Sequence, residues 1–135
     1  IGKSSGKWYW ETVATQNKAS IGIAYSTEPV TSYTGQGLPS WGWYGSLSAI
    51  YNNGSSIASY SAYTAGDVIG VALDMTAGTV TFYKNNVSQG VAVSSLSGVV
   101  YAASGSTGVA GAQTTNFGAT TLTYTPPSGF NAGLY

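Results

Sequence analysis

The chain has no cysteine, no histidine and no arginine, and charged residues make up only 6% of its 135 positions. Without cysteine there is no disulfide to staple the fold, and no thiolate to hold zinc or act as a nucleophile. Without histidine the commonest general base of enzymes is missing. Without arginine no guanidinium fork can grip a phosphate. The four lysines, Lys3, Lys7, Lys18 and Lys84, stand singly and are balanced by four acids, Glu11, Glu28, Asp67 and Asp74. Nucleic acid demands a clustered positive field, and anionic lipid draws polybasic segments. Neither is present, so neither nucleic acid nor membrane insertion is expected. No apolar run approaches the ~20 residues of a membrane-spanning helix, and we read no N-terminal targeting segment.

What replaces charge is hydroxyl, amide and bare backbone, since the apolar fraction of 43% is ordinary and the remainder is rich in Ser, Thr, Asn, Gln and Gly. Such a surface favours polar, uncharged partners. The length suits one domain with one core. We read residues 1–135 as that domain. The opening Ile1-Gly2-Lys3-Ser4-Ser5, which lacks an initiator methionine, is read as part of a longer polypeptide.

No segment carries an extended helical period of apolar residues. Short runs of β-branched and aromatic residues recur instead, separated by Gly, Asn, Ser and Pro, which predicts an all-β fold. The expected strands are Lys7 to Thr15, Ser20 to Tyr25, Ser40 to Tyr44, Leu47 to Tyr51, Val68 to Leu73, Thr79 to Tyr83, Val99 to Ala103, Ala112 to Phe117 and Thr121 to Tyr124, with a further strand near Val91. Asp74 as a side-chain cap and Gly78 as a positive-φ residue should close one hairpin. Asn85-Asn86 suits a two-residue primed turn, because Asn tolerates the left-handed region, and Asn52-Asn53-Gly54 reads the same way. Pro126-Pro127 cannot donate to a ladder and should end the last strand. Ser26 to Pro39 and Ser55 to Gly66 read as long loops, where binding residues concentrate on a rigid scaffold.

The chemistry of an enzyme is hard to assemble from these residues. Glycosidase sites need two converging carboxylates. Glu11 is the only acid in its strand, and Asp67 and Asp74 bracket another strand as turn caps. A Ser paired with Lys7 or Lys84 is the one remaining nucleophile arrangement, and oxygen-ligated Ca²⁺ would have only dispersed acids to use. No catalytic residue, metal or cofactor is therefore expected. Trp8 with Trp10, and Trp41 with Trp43, follow strand alternation, which places them in the space between two sheets. Tyr33, Tyr44, Tyr51, Tyr60 and Tyr63 lie in or beside the expected loops. There they would serve as rigid amphipathic contacts or as ordinary hairpin tyrosines.

Six segments follow one another along the chain: Gly6-Lys7-Trp8-Tyr9-Trp10-Glu11, Ile21-Gly22-Ile23-Ala24, Ser40-Trp41-Gly42-Trp43, Gly66-Asp67-Val68-Ile69-Gly70-Val71-Ala72-Leu73-Asp74, Gly78-Thr79-Val80-Thr81-Phe82-Tyr83-Lys84-Asn85 and Asn116-Phe117-Gly118. In this order and spacing they resemble the SPRY domain family over nearly the whole chain. The resemblance implies a bent two-sheet antiparallel β-sandwich of the concanavalin-like jelly-roll type. It also implies ligands held by loops at one edge and no family-wide catalysis. It marks Pro29, Val30, Tyr33, Thr34, Gln36 and Leu38 in a first loop, and Ser104, Ser106 and Thr107 in a second, as ligand-binding residues. Where binding members often carry a Trp in that second loop, this chain reads Ser104-Gly105-Ser106-Thr107.

The tail, Asn116-Phe117-Gly118 and then Tyr124-Thr125-Pro126-Pro127-Ser128-Gly129-Phe130, is similar to SPRY domains of bacteriophage structural proteins. That similarity implies a recognition module on a tail fibre or virion surface, with a host-cell surface protein or glycan, or other virion subunits, as partner. The alternatives are a structural spacer or oligomerisation domain of a fibre, and a peptide-binding adaptor of the eukaryotic SPRY type.

Overall fold

Alternation of large apolar and small or polar residues builds the strands, and the computed structural model describes residues 1–27, 33–37, 39–106 and 113–135. In chain order the strands are β1 (Lys7–Ala14), β2 (Ala19–Ala24), β3 (Ser40–Tyr44), β4 (Ala49–Asn52), β5 (Ser55–Ser59), β6 (Val68–Asp74), β7 (Thr79–Lys84), β8 (Val87–Val93), β9 (Tyr101–Ser106), β10 (Gln113–Asn116) and β11 (Asn131–Ala132). They form two sheets, one ordered β10-β1-β6-β7-β8 with β11 also on β1, the other β5-β4-β3-β2-β9. Every pairing is antiparallel except β1 with β11. There is no helix among the described residues, and the molecule is the all-β two-sheet sandwich expected.

The core lies between the sheets. Trp10, Ile69, Val71, Leu73, Val80 and Phe82 from the first sheet meet Ile21, Ile23, Trp43 and Ile50 from the second, all fully buried. Each such side chain contributes about 1.5–3 kcal/mol through the apolar surface it withdraws from water. Trp43 is the bridge, with ring centroids 5.8 Å from Phe82 across the sandwich and 5.2 Å from Tyr63. Trp10 and Trp43 are core residues as expected, and Trp8 and Trp41 pack partly buried against the same cluster.

The turns follow their residue chemistry. Asn85 and Asn86 have φ of 47° and 68°, and Asn53 and Gly54 have 51° and 69°, so both hairpins turn through two left-handed residues. The Asp74 carboxylate accepts the N–H groups of Thr76 and Ala77 at 2.9 Å. Lys7 stands 2.9 Å from its other oxygen. Burial alone would raise the Asp74 pKa, but these partners hold it below the usual carboxylate range. Asp67 is held low in the same way by the Thr64 N–H, the Asn85 amide and Lys84.

Three expectations need correction. Ser55 to Gly66 is not all loop, because its first five residues pair with β4 as β5. Tyr63, expected at a loop surface, is 1% exposed. Its single hydroxyl proton is shared between the carbonyls of Ala19 and Trp43, which hold the ring inward. Thr121 to Tyr124 forms no strand. The N–H groups of Thr123 and Tyr124 donate instead to the two oxygens of Glu11, at 2.7 and 2.8 Å. Glu11 faces away from the core on β1 and is only 2% exposed, so its carboxylate ties the C-terminal segment over the outer face of the first sheet. β11 and the Gly133 N–H, bonded to the Tyr9 carbonyl at 2.7 Å, complete that attachment. Ala112, the first residue of the expected strand Ala112 to Phe117, lies outside the described residues.

Candidate functional site

On β3 the core-facing residues are Trp41 and Trp43, so Ser40, Gly42 and Tyr44 face outward. The same parity turns Ser20 and Gly22 of β2, and Tyr51 of β4, to that outer face. Residues 33–37 lie across it. A Cβ on Gly42 would stand 2.3 Å from the Thr34 carbonyl oxygen, so the loop can lie this close only because position 42 has no side chain. Ser40 Oγ accepts the Gly35 N–H at 2.7 Å. The carbonyls of Gly35 and Gly37 accept the N–H groups of Gly54 and Asn53 at 3.0 and 3.2 Å. The loop is thereby tied to the β4–β5 turn as well as to β3.

This anchoring sets three tyrosines edge to face. The ring centroids of Tyr33 and Tyr44 are 5.5 Å apart and those of Tyr44 and Tyr51 are 5.3 Å apart, a separation at which the positive edge of one ring meets the negative face of the next. Together with Ser46 and Leu47 they line a cup of about 210 Å³. Leu47, in the β3–β4 turn, is 55% exposed on its rim. Among the described residues no charged side chain lines the cup. The Tyr44 hydroxyl is buried beside that of Ser20, its register partner, and neither finds a further hydrogen-bond partner among the described residues. Burial pushes the Tyr44 hydroxyl well above the usual tyrosine range, with Ser20 partly offsetting the effect.

The second loop expected from Ser104 is not a loop as far as Ser106, because Ser104 to Ser106 pair with β2 as the end of β9; it meets the first loop through Gly105. A Cβ there would lie 3.3 Å from Tyr33 Cα and 3.2 Å from the Thr34 nitrogen. Gly105 opposes the outward-facing Ser20, whereas Ser104 opposes the core residue Ile21 and Ser106 opposes Ala19. Ser104 accordingly lines a narrow space with Trp10, Thr12, Thr115 and Phe117 on the other side of the sheet from Tyr33. Of the remaining expected residues, Tyr33 is half-buried in the cup, Gln36 is exposed, and Thr34 is 4% exposed where the loop lies on Gly42. Pro29, Val30, Leu38 and Thr107 lie outside the described residues. Leu47 and Ser46 were not singled out from sequence, where Leu47 read as the first residue of a strand.

The described acids are committed elsewhere. Glu11, Asp67 and Asp74 are each engaged by backbone N–H groups, and Glu28 lies outside the described residues. No group of three or more potential metal-ligating side chains occurs among the described residues, and no helix among them is long and apolar enough to cross a membrane.

Comparison with known proteins agrees with this architecture. The family model described as "SPRY domain" matches residues 7–120. The crystal structure of the SPRY domain of human HERC1 superposes with a TM-score of 0.68 at 22% identity, covering 77% of this chain and 69% of that one. No curated protein matches the sequence.

Proposed function

Since this chain belongs to the SPRY domain family, whose members are generally non-catalytic protein–protein interaction modules, we propose that it recognises a protein partner through the tyrosine cup on the outer face of its five-stranded sheet. The observation that carries this reading is the concavity itself: Tyr33, Tyr44 and Tyr51 locked edge to face around about 210 Å³, with an exposed leucine on the rim. Tyrosines bury large area at small cost in side-chain entropy, and here their rotamers are already fixed by one another. An uncharged apolar or prolyl side chain inserted between Leu47 and the rings fits that lining. The loop hydrogen bonds to Ser40, Asn53 and Gly54 support preorganisation, which lowers the cost of binding. The low-charge, hydroxyl-rich surface, with the tail similar to bacteriophage SPRY domains, supports a virion or extracellular setting. There the partner would be a host-cell surface protein or another virion subunit.

The test is selection of a random-peptide display library on the immobilised domain, followed by affinity measurements on Tyr33→Ala and Leu47→Ser. Each substitution should weaken the selected peptides at least tenfold, about 1.4 kcal/mol, while leaving Tm within the spread of the parent. Selected peptides that bind both variants as tightly as the parent would overturn the assignment.

A further inference from the structure

A second concavity lies on the opposite sheet. Residues 118–126 and Ala132 line an open groove of about 700 Å³, comparable in volume to small-molecule sites. The segment that forms it is held by two side-chain clamps. Asn116 Nδ2 donates to the carbonyls of Thr120 and Thr121, both at 3.2 Å, while its Oδ1 accepts the Gly118 N–H at 2.9 Å. Glu11 holds the N–H groups of Thr123 and Tyr124. A segment with no ladder hydrogen bonds along 117–130 is thus fixed at both ends of the groove.

The lining is chemically narrow. Thr120, Thr121, Thr123 and Thr125 supply hydroxyls that make no internal hydrogen bond among the described residues, and Leu122 and Tyr124 supply apolar surface. Among the described residues no charged side chain lines it, and the Glu11 carboxylate behind the segment has both oxygens occupied. An anion or cation would find no counter-charge here. A peptide adding as a strand would find the neighbouring edge of β1 already taken by β10 along Glu11–Ala14 and by β11 at Trp8 and Tyr9. Alternating hydroxyl and apolar groups match the two kinds of surface that a sugar ring presents.

We propose that this groove is a binding site for an uncharged saccharide, separate from the tyrosine cup. The experiment is NMR titration of the intact 135-residue chain with glucose, galactose, N-acetylglucosamine and their disaccharides at millimolar concentrations. Glucose 6-phosphate and a Ser/Thr-rich peptide serve as comparisons. At least one neutral sugar should shift the amides of residues 118–126 and Ala132, and the phosphate and peptide should not. Thr121→Val, which exchanges only the hydroxyl for a methyl, and Tyr124→Ala should each weaken that sugar at least tenfold, and Tyr33→Ala should leave it unchanged. The proposal is overturned if no neutral sugar shifts those amides, if the phosphate or the peptide shifts them equally, or if the sugar's shifts fall on the tyrosine cup. None of these outcomes bears on whether peptides bind the cup, which Tyr33→Ala reports separately.

Discussion

Glu11→Gln removes a charge and nothing else in shape, so it isolates what the buried carboxylate contributes. In the native chain one oxygen accepts the Thr123 N–H at 2.7 Å and the other the Tyr124 N–H at 2.8 Å, with the Tyr9 hydroxyl donating at 3.3 Å. A glutamine keeps one acceptor but points an NH₂ at the second N–H, donor against donor. A hydrogen bond to a charged acceptor contributes about 1.5–3 kcal/mol, and a buried N–H left without a partner costs about 1–3 kcal/mol. Losing one bond and weakening the other should therefore cost about 2–4 kcal/mol. An unfolding entropy near 2.1 cal/mol/K per residue over 135 residues converts each kcal/mol into about 3.5 °C, so Tm should fall by about 7–14 °C. Calorimetry gives the magnitude. Amide exchange gives the location: Thr123 and Tyr124 should lose protection more than the core strands do. An unchanged Tm, or protection lost uniformly across both sheets, would refute the idea that this carboxylate specifically ties down the tail.

Gly42→Ala puts a methyl 2.3 Å from the Thr34 carbonyl, so the loop must lift and its bonds to Ser40, Asn53 and Gly54 must lengthen. Binding of cup-selected peptides should drop more than tenfold while the core strands keep their exchange protection, and unaltered affinity would show that the loop does not shape the cup. Tyr63→Phe removes the one buried hydroxyl proton that the Ala19 and Trp43 carbonyls share and should cost about 1–3 kcal/mol in denaturant titration. A loss below that range would mean that the ring, not the hydroxyl, holds the residue in place. For pH, Asp67 and Asp74 both have folded pKa values below the unfolded value near 3.9. As pH falls the unfolded chain binds protons first, so stability is fully present at neutral pH and is lost below about pH 4 as the lowered values are crossed. Thermal melts from neutral to strongly acid pH should show this decline, and it should be shallower in the Asp67→Asn/Asp74→Asn double variant. An equally steep acid limb in that variant would place the titrating groups elsewhere.

The fold was legible where local chemistry and burial agree. Asn85-Asn86, Asn53-Gly54 and Asp74 to Gly78 each demand a particular turn, and the runs between them alternate, so strand positions followed. The expected strand at Thr121 to Tyr124 has alternation too, yet its N–H groups are taken by a carboxylate more than a hundred residues earlier. No local pattern announces such a bond. Tyr63 is a similar case, since its burial depends on carbonyls of β2 and β3 that only the folded chain brings within reach of its hydroxyl.

The candidate site was legible in composition and not in parity. Tyr33, Tyr44 and Tyr51 could be picked out as aromatics near loops, but whether they share a face depends on which residues of β3 and β4 turn inward, and that is decided by Trp43 and Ile50 entering the core. The second loop shows the same dependence more sharply. In Ser104-Gly105-Ser106 the polar side chains are the obvious contacts, yet strand parity opposes Ser104 to the buried Ile21 and leaves the glycine against Tyr33. At this end of β9 the glycine lets Tyr33 and Thr34 settle close to the sheet. A methyl at position 105 would stand 3.2 Å from the Thr34 nitrogen and 3.3 Å from Tyr33 Cα, so the loop must give by a few tenths of an ångström and Gly105→Ala should loosen the cup without touching its lining. A Gly105→Ala variant that binds cup-selected peptides as the parent does would mean that the tyrosines are held by the β4–β5 turn alone.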